Sequence, residues 1–203
     1  MSVVTIARLS GSGGDIIAAR VAERLGYTFV DSAILAAIAS RVGVSMEEMM
    51  PFDEKIDSTL MEWLKSIITP QIGKIIGHEN DQISPAGYIA NLKTVVLGMA
   101  EKGNVVIVGR GSQYILRDTP DAFRVRIIAD METRVDWLCR YNNISREEAL
   151  GRIKHSDSMR KSFIQRYFRS DWDDQYAFDL ILNTTRMEID EAVENVVAAV
   201  KTF

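Results

Sequence analysis

The chain has 203 residues, 47% of them hydrophobic and 26% charged, a formal charge of −4 and one cysteine, Cys139. This is enough apolar material for one buried core, so residues 1–203 read as a single globular domain, and an intrachain disulfide is excluded. The acidic balance argues against a general nucleic-acid or anionic-membrane binder, and neither a cleavable leader nor a membrane span is legible, so a soluble cytoplasmic protein is the expectation.

The first apolar run, Val3 to Ala7, predicts a strand. It feeds the turn Arg8-Leu9-Ser10-Gly11-Ser12-Gly13-Gly14-Asp15 and then a helical pattern from Asp15 to Leu25, with Ile17, Val21 and Leu25 on one stripe and Gly26 at its end. A glycine-rich turn between strand and helix is where backbone amides and the helix dipole gather around phosphate. Ser10, Gly11, Ser12, Gly13, Gly14 and Asp15 are therefore the candidate residues for holding a nucleotide's phosphates. Set against the template G-x-x-x-x-G-K-[ST], however, Gly14 stands at the lysine, Asp15 at the magnesium-binding hydroxyl and Arg8 at the first glycine. The competing reading is a plain tight turn, with Asp15 as a first-turn carboxylate worth roughly 0.3–1 kcal/mol.

A second strand is predicted at Tyr27 to Val30, followed by Asp31, which either caps the next helix or meets a ligand. Residues 44–102 read as a helical insertion, with helical stretches at Asp57 to Ile68 and Tyr88 to Lys102, broken by Pro70, Gly73, Gly77, Pro85 and Gly87. Trp63 and Leu64 make it a candidate homodimer surface, with core packing the equal alternative. Met46, Met49 and Met50 read as adaptable packing. Val105 to Val108 predicts a third strand, and the Gly109-Arg110-Gly111 turn that follows leaves the guanidinium room to grip a phosphate through two donors. The competing role for Arg110 is a partner of a carboxylate such as Asp31.

Phe123 to Ile128 and Leu180 to Leu182 complete a set of five short strands. Helices between strands demand parallel crossovers, and unbroken apolar runs suit strands covered on both faces, which predicts an open, parallel α/β sheet. Ligands then sit beyond the strands' carboxyl ends, where Arg8, Asp31, Arg110, Asp130 and Asn183 fall. Ser45-Met46-Glu47-Glu48 and Ser145-Arg146-Glu147-Glu148 match the reciprocal capping box and mark helix starts. Cys139 reads as a buried small hydrophobe. His78 and His155 have no metal-ligand spacing, and no metal site held by the protein is expected.

Residues 145–172 read as a lid. From Arg152 to Arg169 the basic residues Arg152, Lys154, Arg160, Lys161, Arg166 and Arg169 are opposed only by Asp157, and on an ideal helix Arg152, Arg160 and Arg166 fall within about 120°. Such a basic face can close on a polyphosphate, and a solvated surface helix is the alternative.

Ile6-Ala7-Arg8 with Gly11-Ser12-Gly13-Gly14, Gly26-Tyr27 to Asp31, Glu101 to Gly111, the Asp157 to Arg160 and Tyr167 to Trp172 spacings, and Leu182-Asn183-Thr184-Thr185 together resemble the cytidylate kinase-like family. The resemblance implies a P-loop nucleoside-monophosphate-kinase fold with a core, an acceptor-binding insertion and an arginine-bearing lid, using ATP and magnesium carried by the nucleotide. It implies that Gly11 to Gly14 touch donor phosphates, Asp31 and Arg110 the monophosphate acceptor, and Arg160 the transferring group. Helix geometry adds Arg166 to the catalytic candidates Arg8, Arg110 and Arg160, and position at the rim adds Asn183 to the substrate contacts. The expected activity is γ-phosphoryl transfer to a CMP-like nucleotide. A nucleotide-binding sensor or regulatory protein without turnover is the alternative. A dinucleotide-dependent oxidoreductase, suggested by Asp31 lying about twenty residues beyond Gly11, is weakened by Ile16 at the third glycine of that fingerprint.

Overall fold

The alternation of side chains along the strands sorts two apolar layers onto opposite faces of one sheet. The computed structural model describes residues 2–32, 35–36 and 85–203. Its strands are β1 (Val3–Arg8), β2 (Thr28–Val30), β3 (Val105–Val108), β4 (Ala122–Ile128) and β5 (Leu180–Asn183), all parallel in the order β2-β3-β1-β4-β5. Each predicted strand is present, with ends displaced by at most one residue. The described helices are α1 (Gly14–Leu25), α2 (Pro85–Lys102), α3 (Ser112–Ile115), α4 (Met131–Asn142), α5 (Arg146–Phe168) and α6 (Ile189–Thr202).

Val105 and Ile107 of β3 pack with Leu92, Val96 and Met99 of α2 on one face, while Val106 and Val108 pack with Ile17 and Val21 of α1 and Val193 and Val196 of α6 on the other. This is the period of two that an apolar run buried on both sides conceals in sequence. A smaller cluster of Val135, Leu138, Ala149 and Ile153 joins α4 to α5, with Cys139 half-buried against it rather than fully enclosed.

Helix ends follow the sequence signals. Gly26 closes α1 in the left-handed conformation, and the Ser145 hydroxyl accepts from the Glu148 amide at 3.2 Å to start α5. Asp130 Oδ1 likewise accepts from the Thr133 amide at 2.8 Å and starts α4. That bond, with some help from Arg186, holds the exposed Asp130 carboxyl below the usual carboxylate range. The Ser45 capping box, Met46, Met49, Met50, the Asp57 to Ile68 helix, Trp63, Leu64 and His78 lie outside the described residues.

Candidate active site at the carboxyl ends of the central strands

β1 lies between β3 and β4, so its carboxyl end is overlooked by the turns that follow both neighbours. The glycine loop leaves this end and is fixed from three sides. Leu9 N donates to Ile127 O at 3.0 Å, Thr184 Oγ1 donates to Ser12 O at 2.9 Å, and Arg134 Nε donates to Ser10 O at 2.7 Å. The buried Ser12 hydroxyl donates back to Leu9 O at 2.9 Å, closing the turn. Gly11 and Gly13 have φ of 83° and 74°, a region that suits glycine and turns the chain sharply into α1. The loop is thus preorganised, with the N-terminus of α1 behind it.

Gly14 admits no side chain. A Cβ there would run into Cβ and Cγ of Arg8 and lie 3.3 Å from Cβ of Ile127. The Arg8 side chain occupies the space beside the lysine position and is 9% exposed. Arg8 Nε donates to Asp15 Oδ1 at 2.9 Å and Nη2 donates to Ser32 Oγ at 3.1 Å. Asp15, at the hydroxyl position of the template, is itself 65% exposed, so its carboxylate steers the guanidinium from the rim without being enclosed.

Arg160 reaches in from α5 and donates from Nη1 to the carbonyl of Arg8 at 2.8 Å. Burial, and after it the charge of Arg8, lower its pKa to about 10, with Asp15 and Asp157 acting in the opposite sense and Arg134 adding to the depression. It remains a cation at neutral pH, although positive charge is costly there. Arg134 is 5% exposed and donates to Asp157 Oδ2 at 2.6 Å, which ties α4 to α5 directly beneath the loop.

A cavity of about 410 Å³ opens beside this cluster, within the roughly 300–1,000 Å³ typical of small-molecule sites. Arg8, Ser32, Arg110, Gln113, His155, Ser156 and Arg160 supply its polar lining, and Met159, Phe163, Ile164 and Trp172 an apolar wall. Arg110 donates to Ser32 O at 3.2 Å and its guanidinium lies 6.0 Å from the centre of the Phe163 ring. Three of the sequence candidates, Arg8, Arg110 and Arg160, therefore meet at one cavity, whereas none of Ser10 to Asp15 lines it and the loop is joined to it through Arg8, which Asp15 holds.

Other candidates lie elsewhere. Arg166 is exposed on α5 with its guanidinium 5.4 Å from the Tyr167 ring, and Arg152 pairs with Glu148 at 2.7 Å. The single basic face expected for Arg152, Arg160 and Arg166 is divided. Only a narrow stripe of α5, marked by Ile153 and Ile164, faces the body, and offsets of about 80° and 120° carry Arg152 and Arg166 off it. Asn183 is exposed at the end of β5, where Oδ1 accepts from Thr185 N at 3.0 Å in a local turn. The Asp31 carbonyl accepts from Leu35 N at 3.0 Å, and the adjacent Ser32 is the residue that lines the cavity. His155 is exposed but stands at the cavity mouth.

A family model described as the cytidylate kinase-like family matches residues 3–186. The chain belongs to the cytidylate kinase-like family. Among its relatives is a cytidylate kinase of Ignicoccus hospitalis, 26% identical over 97% of this chain and 97% of that one. An uncharacterized protein from Eubacterium ventriosum has a similar solved structure, with a TM-score of 0.72 at 21% identity over 100% of this chain and 99% of that one. Shikimate kinase from Acinetobacter baumannii, solved with shikimate, has a TM-score of 0.50 at 11% identity over 100% and 94% of the two chains and shares the fold. A nucleotide kinase-like function goes with this membership.

The strand order differs from the 3-2-1-4-5-6 order of dinucleotide-binding sheets, consistent with the family assignment. Among the described residues, no helix is long and apolar enough to cross a membrane, and no group of three His, Cys, Asp or Glu side chains could hold a metal. In this member of the family, sequence reasoning missed Arg134 and Gln113. Arg134 stands 124 residues from the carbonyl it binds, and no local pattern announces such a contact.

Proposed function

We propose that this chain is a phosphotransferase that moves the γ-phosphoryl group of ATP to a nucleoside monophosphate, with CMP the first acceptor to test. The observation that carries this reading is the meeting of Arg8, Arg110 and Arg160 at a cavity beside a preorganised glycine loop. Gly11 to Gly14 offer backbone amides to the donor's phosphates, and Asp15 holds Arg8 in place. Arg110, with Asp31 nearby, orients the acceptor. A phosphate oxygen of the acceptor attacks the γ-phosphorus, and the bond from that phosphorus to the β,γ-bridging oxygen breaks to leave ADP. The acceptor phosphate is already ionised, so no general base is required. Developing charge on the transferring group is met by Arg8 and Arg160, which take over the work of the absent lysine. Helix α5 acts as the lid, and its closure excludes water.

Magnesium would arrive on the nucleotide and supply neutralising charge to its phosphate oxygens. A coupled assay with ATP, magnesium and CMP, UMP, dCMP or AMP as acceptor should show turnover. No turnover above background by folded protein with any of them removes the proposal. One observation favours a second reading. The position of the template lysine has no room for a side chain, which suits a protein that binds nucleotide as a sensor without transferring phosphate. Calorimetric binding of ATP or CMP without turnover selects that reading.

A further inference from the structure

Among the polar side chains that line the cavity, one is neutral, buried and without a donor at its acceptor. Gln113, on the short helix α3 three residues beyond Arg110, is 2% exposed and lines the cavity, yet its Oε1 accepts no hydrogen bond. A buried carboxamide oxygen without a donor is costly, and native folds seldom retain one without a reason. The arginines are donors only and suit the anionic end of a ligand. Gln113 is neutral and offers an acceptor and two donors in one plane, beside the apolar and aromatic side chains Met159, Phe163, Ile164 and Trp172. That combination suits a flat heterocycle whose edge presents an N–H group next to an acceptor.

We propose that Gln113 reads the base of the acceptor, its Oε1 accepting a hydrogen bond from an exocyclic amino or ring imide N–H of a pyrimidine whose phosphate lies on the arginines. This rests on the monophosphate reading given above and deepens it. Cytosine presents an amino donor beside a ring acceptor, and uracil presents an imide donor beside a carbonyl. A carboxamide that can turn over matches both, so the site takes CMP and UMP with affinities within a few-fold of each other. A carboxylate at this position can only accept, and it favours the amino base.

Calorimetry on the full chain with CMP, UMP and ribose 5-phosphate tests the inference. Gln113→Met, close in volume, weakens CMP and UMP binding about tenfold and leaves ribose 5-phosphate, which has no base, unchanged. Gln113→Glu raises the ratio of CMP to UMP affinity about tenfold, and this ratio decides the matter if the Met variant fails to fold. CMP affinity unaltered in Gln113→Met, or falling in step with that of ribose 5-phosphate, overturns the role of Gln113 while the acceptor pocket stands. Failure of the wild-type chain to bind either CMP or ribose 5-phosphate overturns both.

Discussion

Two groups of arginines in this fold are held in opposite ways. At the junction of β4 and β5, Arg124 meets Asp179 with Nε to Oδ2 at 2.9 Å and Nη2 to Oδ1 at 2.6 Å, and the Arg124 amide adds a third donor at 2.8 Å. The hydrogen bonds to Asp179 come first among the causes that raise the pKa of Arg124. At the glycine loop Arg8, Arg134 and Arg160 share Asp15 and Asp157, and burial first, then Arg8, depress Arg160 to about 10. A guanidinium matched by its own carboxylate is a clasp. Arg8 and Arg160 at the cavity share carboxylates rather than each having its own, and under the proposed function a polyanion completes their pairing.

Arg160→Met should separate the two groups most sharply. Turnover falls by about 10³-fold, the lower end of what a charge-stabilising arginine supplies in phosphoryl transfer. Thermal stability should change little, because the lost bond to the Arg8 carbonyl is offset by removal of a cation whose charge the fold disfavours. Equal turnover in the variant and the wild type breaks the comparison.

Arg134→Met should act the other way, destabilising the chain by about 3–5 kcal/mol in urea unfolding because Asp157 is left without its partner and the Ser10 carbonyl without its donor. Gly14→Lys restores the template yet should cost about 1–3 kcal/mol of stability through overlap with Arg8, with no gain in turnover. A faster enzyme with unchanged unfolding would show that Arg8 does not hold that space.

The smallest effect belongs to the clasp. Burial alone would raise the Asp179 pKa, but the Arg124 hydrogen bonds prevail and lower it. The folded state therefore binds this proton less readily than the unfolded chain does. The stabilisation is present above the ordinary aspartate pKa of about 3.9 and is lost as pH falls through the lower folded value. Asp179→Asn should cost about 1 kcal/mol at neutral pH and flatten this part of the acid unfolding curve, with turnover unaltered. A wild-type acid curve in the variant contradicts the assignment.

Much of this framework was legible in sequence because it is local. Val105 to Val108 announce a buried strand, Gly26 a helix end, and Arg8 with Gly11 to Asp15 a phosphate-loop variant. Long-range geometry was not. Periodicity placed Arg152, Arg160 and Arg166 together, but which residues reach the cavity depends on how α5 lies on the body, and only Arg160 does. Gln113 gives no signal as a letter in the chain. Its interest arises from an unmet acceptor in a wall built by β1, the turn after β3, α3 and α5.

The central claim is that guanidiniums above the loop replace an ammonium group within it, and single-turnover transfer followed by ³¹P NMR tests this most directly. With ATP, magnesium and CMP, the wild-type chain should produce ADP and CDP together, and folded Arg8→Met should do so about 100-fold more slowly, as for loss of one charge-stabilising donor. CDP formed at the same rate by both proteins, or no CDP from the wild type, contradicts the account.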